Sequence, residues 1–169
     1  MSGVKGRERL QPSLLDRLTD DNPAQKRPSP DQQTLTMAQL RHAVLRDLAA
    51  LLNTTNLATI TDLSAAPFTA KSALNYGIPG FAGLVESSSR VDVLENELAA
   101  AIRAYEPRIR PETLRVHARG ARDAAAVPAM VFEIEGELWA QPVPLQLFLE
   151  TTIEVETRLA KVTEVKGRR

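Results

Sequence analysis

Apolar positions along the chain keep one spacing up to about residue 106 and another beyond it. In the first part they recur every three or four residues, and in the second they alternate. In "TMAQLRHAVLRDLAALLNT", Met37, Leu40, Val44, Leu48 and Leu51 hold helical spacing, with Leu45 and Leu52 widening the stripe. Thr36 and Gln39 form a capping-box pair at its start, and Asn53 suits its end. A second helix is predicted from "SSSRVDVLENELAAAIRAYE", with Val91, Leu94, Leu98, Ile102 and Tyr105 on the buried side. A serine among Ser87 to Ser89 caps it, and Asp92 complements the positive end of the helix dipole. Pro107 drives Glu106 out of helical geometry, so the helix ends there.

Period-two patterning follows. "LRVHA" sets Leu114, Val116 and Ala118 against Arg115 and His117, and "MVFEIEGEL" sets Met130, Phe132 and Ile134 against Glu133 and Glu135. "LQLFLETTIEVE" places Leu145, Leu147, Leu149, Thr151, Ile153 and Val155 on one face. Short connections predict an antiparallel meander with one face on the helices. The fold class is therefore α+β: two long helices over one face of a sheet of three or more strands.

The remaining segments are less regular. Leu10, Leu14, Leu15 and Leu18 make a stripe on a short N-terminal helix with Pro12 in its first turn. Residues 20–34 are polar and hold Pro23, Pro28 and Pro30, which reads as an extended linker. Residues 54–88 form a long, mostly irregular connection in which Ser72 could cap one turn and Gly77 could take a left-handed conformation. Connections of that length within a domain are often functional. The organisation expected is an N-terminal helix and linker over 1–34, one α+β domain over 35–160, and a flexible basic tail over 161–169.

Composition narrows the functions. Lysine and arginine together number 21 and are balanced by 21 acidic residues, which argues against a nucleic-acid partner. Aromatic residues are 4%, too few for a stacking platform. With no cysteine, thiolate metal sites and disulfides are excluded, and two histidines leave little for a histidine metal site. No cofactor is expected. There is no apolar run long enough to span a membrane and no secretory h-region, so a cytoplasmic location is expected. "GIPGFAG" spaces Gly77, Gly80 and Gly83 without the strand or lysine of a phosphate loop. His42 and His117 lie beside no recognisable nucleophile and read as scaffold residues. Among the carboxylates only Glu106 has an apolar setting, and no facing pair for glycoside hydrolysis is apparent.

Two features point to contacts instead. The strand from Leu145 to Thr157 carries no internal proline and would template another chain's strand if it lies at an edge; a central place in the sheet is the alternative. Glu106, Pro107 and Arg108 place a carboxylate, a rigid ring and a guanidinium in succession. The trio is either pre-organised for a partner or a helix terminus with an internal ion pair.

Four ordered segments, "RLQPSLLDRLTDDNP", "LRHAVLRDLAALLNT", "SALNYGIPGFAG" and "AYEPRI", resemble the TssE subunits of type VI secretion baseplates, which group with phage-tail baseplate wedge proteins often labelled lysozyme-like. The resemblance runs from about Arg9 to Val155. Where that family usually has an acidic residue after "NYGIP", this chain has Gly80. The resemblance implies a structural, non-enzymatic subunit. It implies that Glu106, Pro107 and Arg108 form a knob attaching to a wedge core of TssF and TssG, with TssK a further baseplate partner. It also implies strand exchange with the sheath proteins TssB and TssC, for which the strand carrying Leu145, Leu147, Leu149, Thr151 and Ile153 is the candidate. The baseplate would sit at the cytoplasmic face of the inner membrane without inserting in it. A peptidoglycan hydrolase and a regulatory anti-adaptor module are the alternative readings.

Overall fold

A computed structural model describes residues 13, 16, 18, 35–80, 91–124, 127–139, 145–154, 157 and 159–165. Leu10, Leu14 and Leu15, the linker at 20–34, Gly83 and the serine cap at Ser87 to Ser89 lie outside the described residues, as do Val155 and the last four positions.

The first helix, α1, spans Met37–Leu52 and begins where the capping box requires. Gln39 N–H donates to Thr36 Oγ1 at 3.2 Å, and Thr36 N–H donates back to Gln39 Oε1 at 2.8 Å. Asn53 ends it, with its N–H on Ala49 O. Leu40, Val44, Leu48, Leu51 and Leu52 are buried, while Met37 and Leu45 flank the core half-buried. The second helix, α2, spans Val91–Tyr105 and buries Leu94, Leu98 and Ile102. Small residues broaden both stripes: Ala43 on α1, and Ala99 and Ala101 on α2, are also buried.

Four strands form one antiparallel meander in chain order: β1 Arg115–Ala124, β2 Val127–Leu138, β3 Leu145–Glu154 and β4 Ala160–Glu164. Val116, Phe132, Ile134, Leu147, Leu149 and Ile153 turn to the helices and close a single core with the two helical stripes. The molecule is α+β, helices on one side and sheet on the other.

Two expectations change. The tail from Lys161 was expected to be loose, yet Lys161 to Glu164 belong to β4. Five residues are too few for a clear alternation in sequence, and the strand forms because Ala160 and Val162 complete the core face beside Ile153 and Thr151. The candidate edge strand is also not at an edge. Residues 149–153 of β3 pair with β4 on one side while the whole of β3 pairs with β2 on the other. The chain turns back once more after Glu154, and the outer position passes to β4.

Candidate functional site

The corner at the end of α2 is built from backbone outward. Glu106 N–H still donates to Ile102 O at 2.9 Å, and the ring of Pro107 then stops the helix. The chain bends so that Ile109 N–H reaches Glu106 O at 3.2 Å. It next lies along the end of β2, with Trp139 N–H on Arg108 O at 2.7 Å and Arg110 N–H on Glu137 O at 2.9 Å. Ile109 is buried and seats over Gly136, where an added Cβ would stand 2.9 Å from Ile109 Cγ2. Glycine at 136 is thus what lets the segment after the trio lie down on the sheet.

The charges of the trio turn inward. Glu106 is 3% exposed, and its two carboxylate oxygens accept from Arg108 Nε and Nη2. Its Oε1 also accepts from Arg108 N–H at 3.1 Å. Arg108 Nη2 reaches Asp47 Oδ2 on α1 at 2.6 Å. Asp47 in turn accepts from Arg46 at 2.8–2.9 Å, and Arg46 Nη1 holds Asp16 Oδ1 at 2.6 Å. Three carboxylates and two guanidiniums therefore alternate in one chain from the end of α2, across α1, to the N-terminal segment.

Burial pulls the Arg108 pKa down, but Glu106 and then Asp47 outweigh it and hold the guanidinium above its ordinary value. The Arg46 pKa is likewise raised, by Asp47 and then Asp16. Burial pushes the Asp16 carboxyl up, yet the Ser13 hydroxyl and Arg46 together leave it below the usual carboxylate range. Glu106 is thus one half of a fork-to-fork ion pair. Pro107 alone of the trio is exposed.

Sequence spacing could not show that Asp47 serves Arg108, because 61 residues separate them. The leucine spacing also gave no sign that Asp16 would meet Arg46 on α1; of the stripe only Leu18 is described, and it is 75% exposed.

The residues nominated on β3 stand apart from this corner. Leu147, Leu149, Thr151 and Ile153 are buried facing the helices, with Leu145 packed at the margin of the core. Hydrogen-bonded positions along β3 and β4 are fixed by Glu154 N–H on Leu159 O and Val165 N–H on Phe148 O. With the register of the pair, this turns the backbone groups of Ala160, Val162 and Glu164 away from β3. At Ala160 the side chain of Asn53 answers both groups, at 2.8 and 2.9 Å, in the manner of a neighbouring strand. At Val162 and Glu164 they face away from the sheet, with no strand beside them among the described residues. The opposite edge is met by α2, where Glu95 Oε1 accepts from Ala118 N–H at 2.7 Å.

The connection after α1 is ordered at its neck. Ile78 N–H donates to Thr54 O at 2.8 Å and Asn56 N–H to Ile78 O at 3.0 Å. Gly77 sits there at φ 121°, where a Cβ would meet Thr54 O at 2.3 Å. Ser72 does cap a turn, at Ala73–Asn75, through Leu74 N–H. Tyr105 OH reaches Ser72 O at 3.0 Å and its ring meets Tyr76 edge-on at 5.2 Å, which ties the connection to α2. Gly80 N–H is taken by Thr59 Oγ1, and a side chain at 80 would start 3.2 Å from the Thr59 methyl. His42 and His117 are both exposed. Among the described residues no group of three or more candidate ligands is placed to hold a metal ion. No described helix is long and apolar enough to cross a membrane.

Residues 38–143 match the family described as Baseplate wedge protein gp25, a stretch that holds α1 apart from Met37, α2, the corner at 106–108 and the first two strands. No curated protein matches the sequence. Among solved structures, one described as a candidate tail lysozyme from Geobacter sulfurreducens is 16% identical with a TM-score of 0.44, covering 80% of this chain and 100% of its own. Likeness at that level brings no chemistry with it.

Proposed function

The chain belongs to the baseplate wedge protein gp25 family, and from that premise we propose that it works as the TssE-type subunit of a type VI secretion baseplate. Its role as a structural part of a phage-tail-like baseplate follows from the family. The finer reading has two halves: the corner around Pro107 attaches to the wedge core formed by TssF and TssG, near TssK, and the sheet starts the TssB–TssC sheath. In this reading the baseplate stands at the cytoplasmic face of the inner membrane.

The observation that carries the first half is the rigidity of the corner, where helix end, ion network and β2 fix Pro107 from three sides. A partner meeting it finds a shape set in advance, which reduces the entropy lost on docking. The second half is supported by the outward backbone groups of Val162 and Glu164 on β4, the strand that takes over the edge role first assigned to β3.

Both halves are open to one comparison. Val162→Pro removes a donor that points away from β3, so the β3–β4 ladder keeps its hydrogen bonds and the far-UV circular dichroism is unchanged. Recruitment of TssB–TssC is expected to be lost while co-purification with TssF–TssG persists. Sheath recruitment that survives Val162→Pro removes the strand-exchange half; wild-type protein that never co-purifies with TssF–TssG removes the attachment half.

A further inference from the structure

The corner presents one large apolar side chain that the trio itself does not include. Trp139 is 62% exposed and is the chain's only tryptophan. It stands at the end of β2, with its N–H on Arg108 O at 2.7 Å, one residue along the backbone from Pro107. Most of the charged groups around it are paired within the chain, although Arg108 Nη1 is buried without a hydrogen-bond partner among the described residues. Glu106 and Arg108 hold each other, Arg110 meets Glu112 at 3.0 Å and Glu137 at 3.4 Å, and Glu137 accepts from Gln146 at 2.6 Å. Beside the paired but partly exposed Arg110 and Glu112, the corner thus turns outward an exposed proline ring and an exposed indole.

We propose that Trp139 is the anchor of the docking corner, and that Glu106 and Arg108 are positioning residues that hold Pro107 and the Trp139 backbone in place. The occupant is a pocket on the wedge-core partner with apolar walls and one hydrogen-bond acceptor for the indole N–H. This rests on the attachment reading above. An indole is the side chain most enriched among interface anchors, because it buries a large area with little rotamer entropy lost and brings one donor that needs an acceptor. A pocket lined by charge fits poorly, since the pairs Arg108 already makes with Glu106 and Asp47 would have to be broken to engage it. Binding should therefore be only weakly salt-dependent, unlike recognition by a free arginine and glutamate.

The full-length protein is prepared with 5-hydroxytryptophan at position 139, which can be excited apart from the partner's tryptophans. Purified TssF–TssG is the probe. Acrylamide quenching of the label is expected to fall several-fold in the complex. Trp139→Ala should weaken binding by about 10-fold or more, as hot-spot tryptophans do, and Trp139→Phe should fall between. Trp139→Ala keeps the fold because the side chain is exposed. Binding by wild type with quenching unchanged and Trp139→Ala affinity intact overturns the anchor and leaves the attachment reading standing. Affinity that collapses with added salt also overturns it, in favour of charge recognition. Absence of any wild-type binding overturns the attachment reading and the anchor together.

Discussion

Glu106 and Arg108 look equivalent in sequence and are unequal in the fold. Glu106 is buried and, among the described residues, depends on Arg108 alone for its side-chain pairing, whereas Arg108 also holds Asp47. Removing Arg108 strands a carboxylate at 3% exposure, and leaving one member of a buried pair uncompensated costs about 3 kcal/mol or more. Removing Glu106 leaves the guanidinium half-satisfied by Asp47 and costs less. Urea unfolding should thus rank Arg108→Ala below Glu106→Ala in stability; equal or reversed midpoints would mean that Asp47 does not share the load. That asymmetry was not legible in the sequence. "EPR" showed three residues unable to relax freely, but neither their inward turn nor their contact on α1 leaves a mark in local spacing. Trp139 was equally silent, because exposure at a strand end depends on which segment covers it.

At the scale of elements the pattern told more. The capping box, the asparagine stop and the two helical stripes appear where the spacing puts them, since amphipathic helices set their own boundaries through caps and periodicity. Alternation likewise yielded β2 and β3, while β1 extends past "LRVHA" and β4 was missed. Short strands are stabilised by their neighbours' faces rather than by their own composition, so β4 exists by virtue of Ile153 and Thr151 beside it. The connection at 54–80 holds its shape through its neck, and Gly77 is the residue that permits it. Alanine there meets both a disfavoured φ and the Thr54 carbonyl, and a loss of about 2–3 kcal/mol is expected. Hydrogen exchange should show faster amide exchange at Asn56 and Ile78 in Gly77→Ala, with the α2 amides unchanged in their order of protection. Unaltered exchange at the neck would mean that the neck bonds do not hold the connection.

For the whole molecule, the ion chain reaches beyond the α+β body to Asp16 through Arg46. The folded pKa of Asp16 lies below the ordinary aspartate value of 3.8, so the ionised form favours docking. Its contribution is complete above the unfolded value and is lost as pH falls through the lowered folded value. The amide shifts of Ser13 and Asp16 should hold from neutral pH down to about 4, the ordinary aspartate range, and move to free values only below it. Release at a higher pH would show that another group controls the segment.

The two rims of the sheet have a consequence for assembly in bulk. A ribbon that grows without limit needs two usable rims on every copy. Here Glu95 takes one outward N–H of the β1 rim, at Ala118, and Asn53 covers the first step of the β4 rim, leaving there a short stretch at Val162 and Glu164. Two copies that met through the β4 rim would use the same short stretch on both sides and close a pair, while a foreign strand finds one place there to begin.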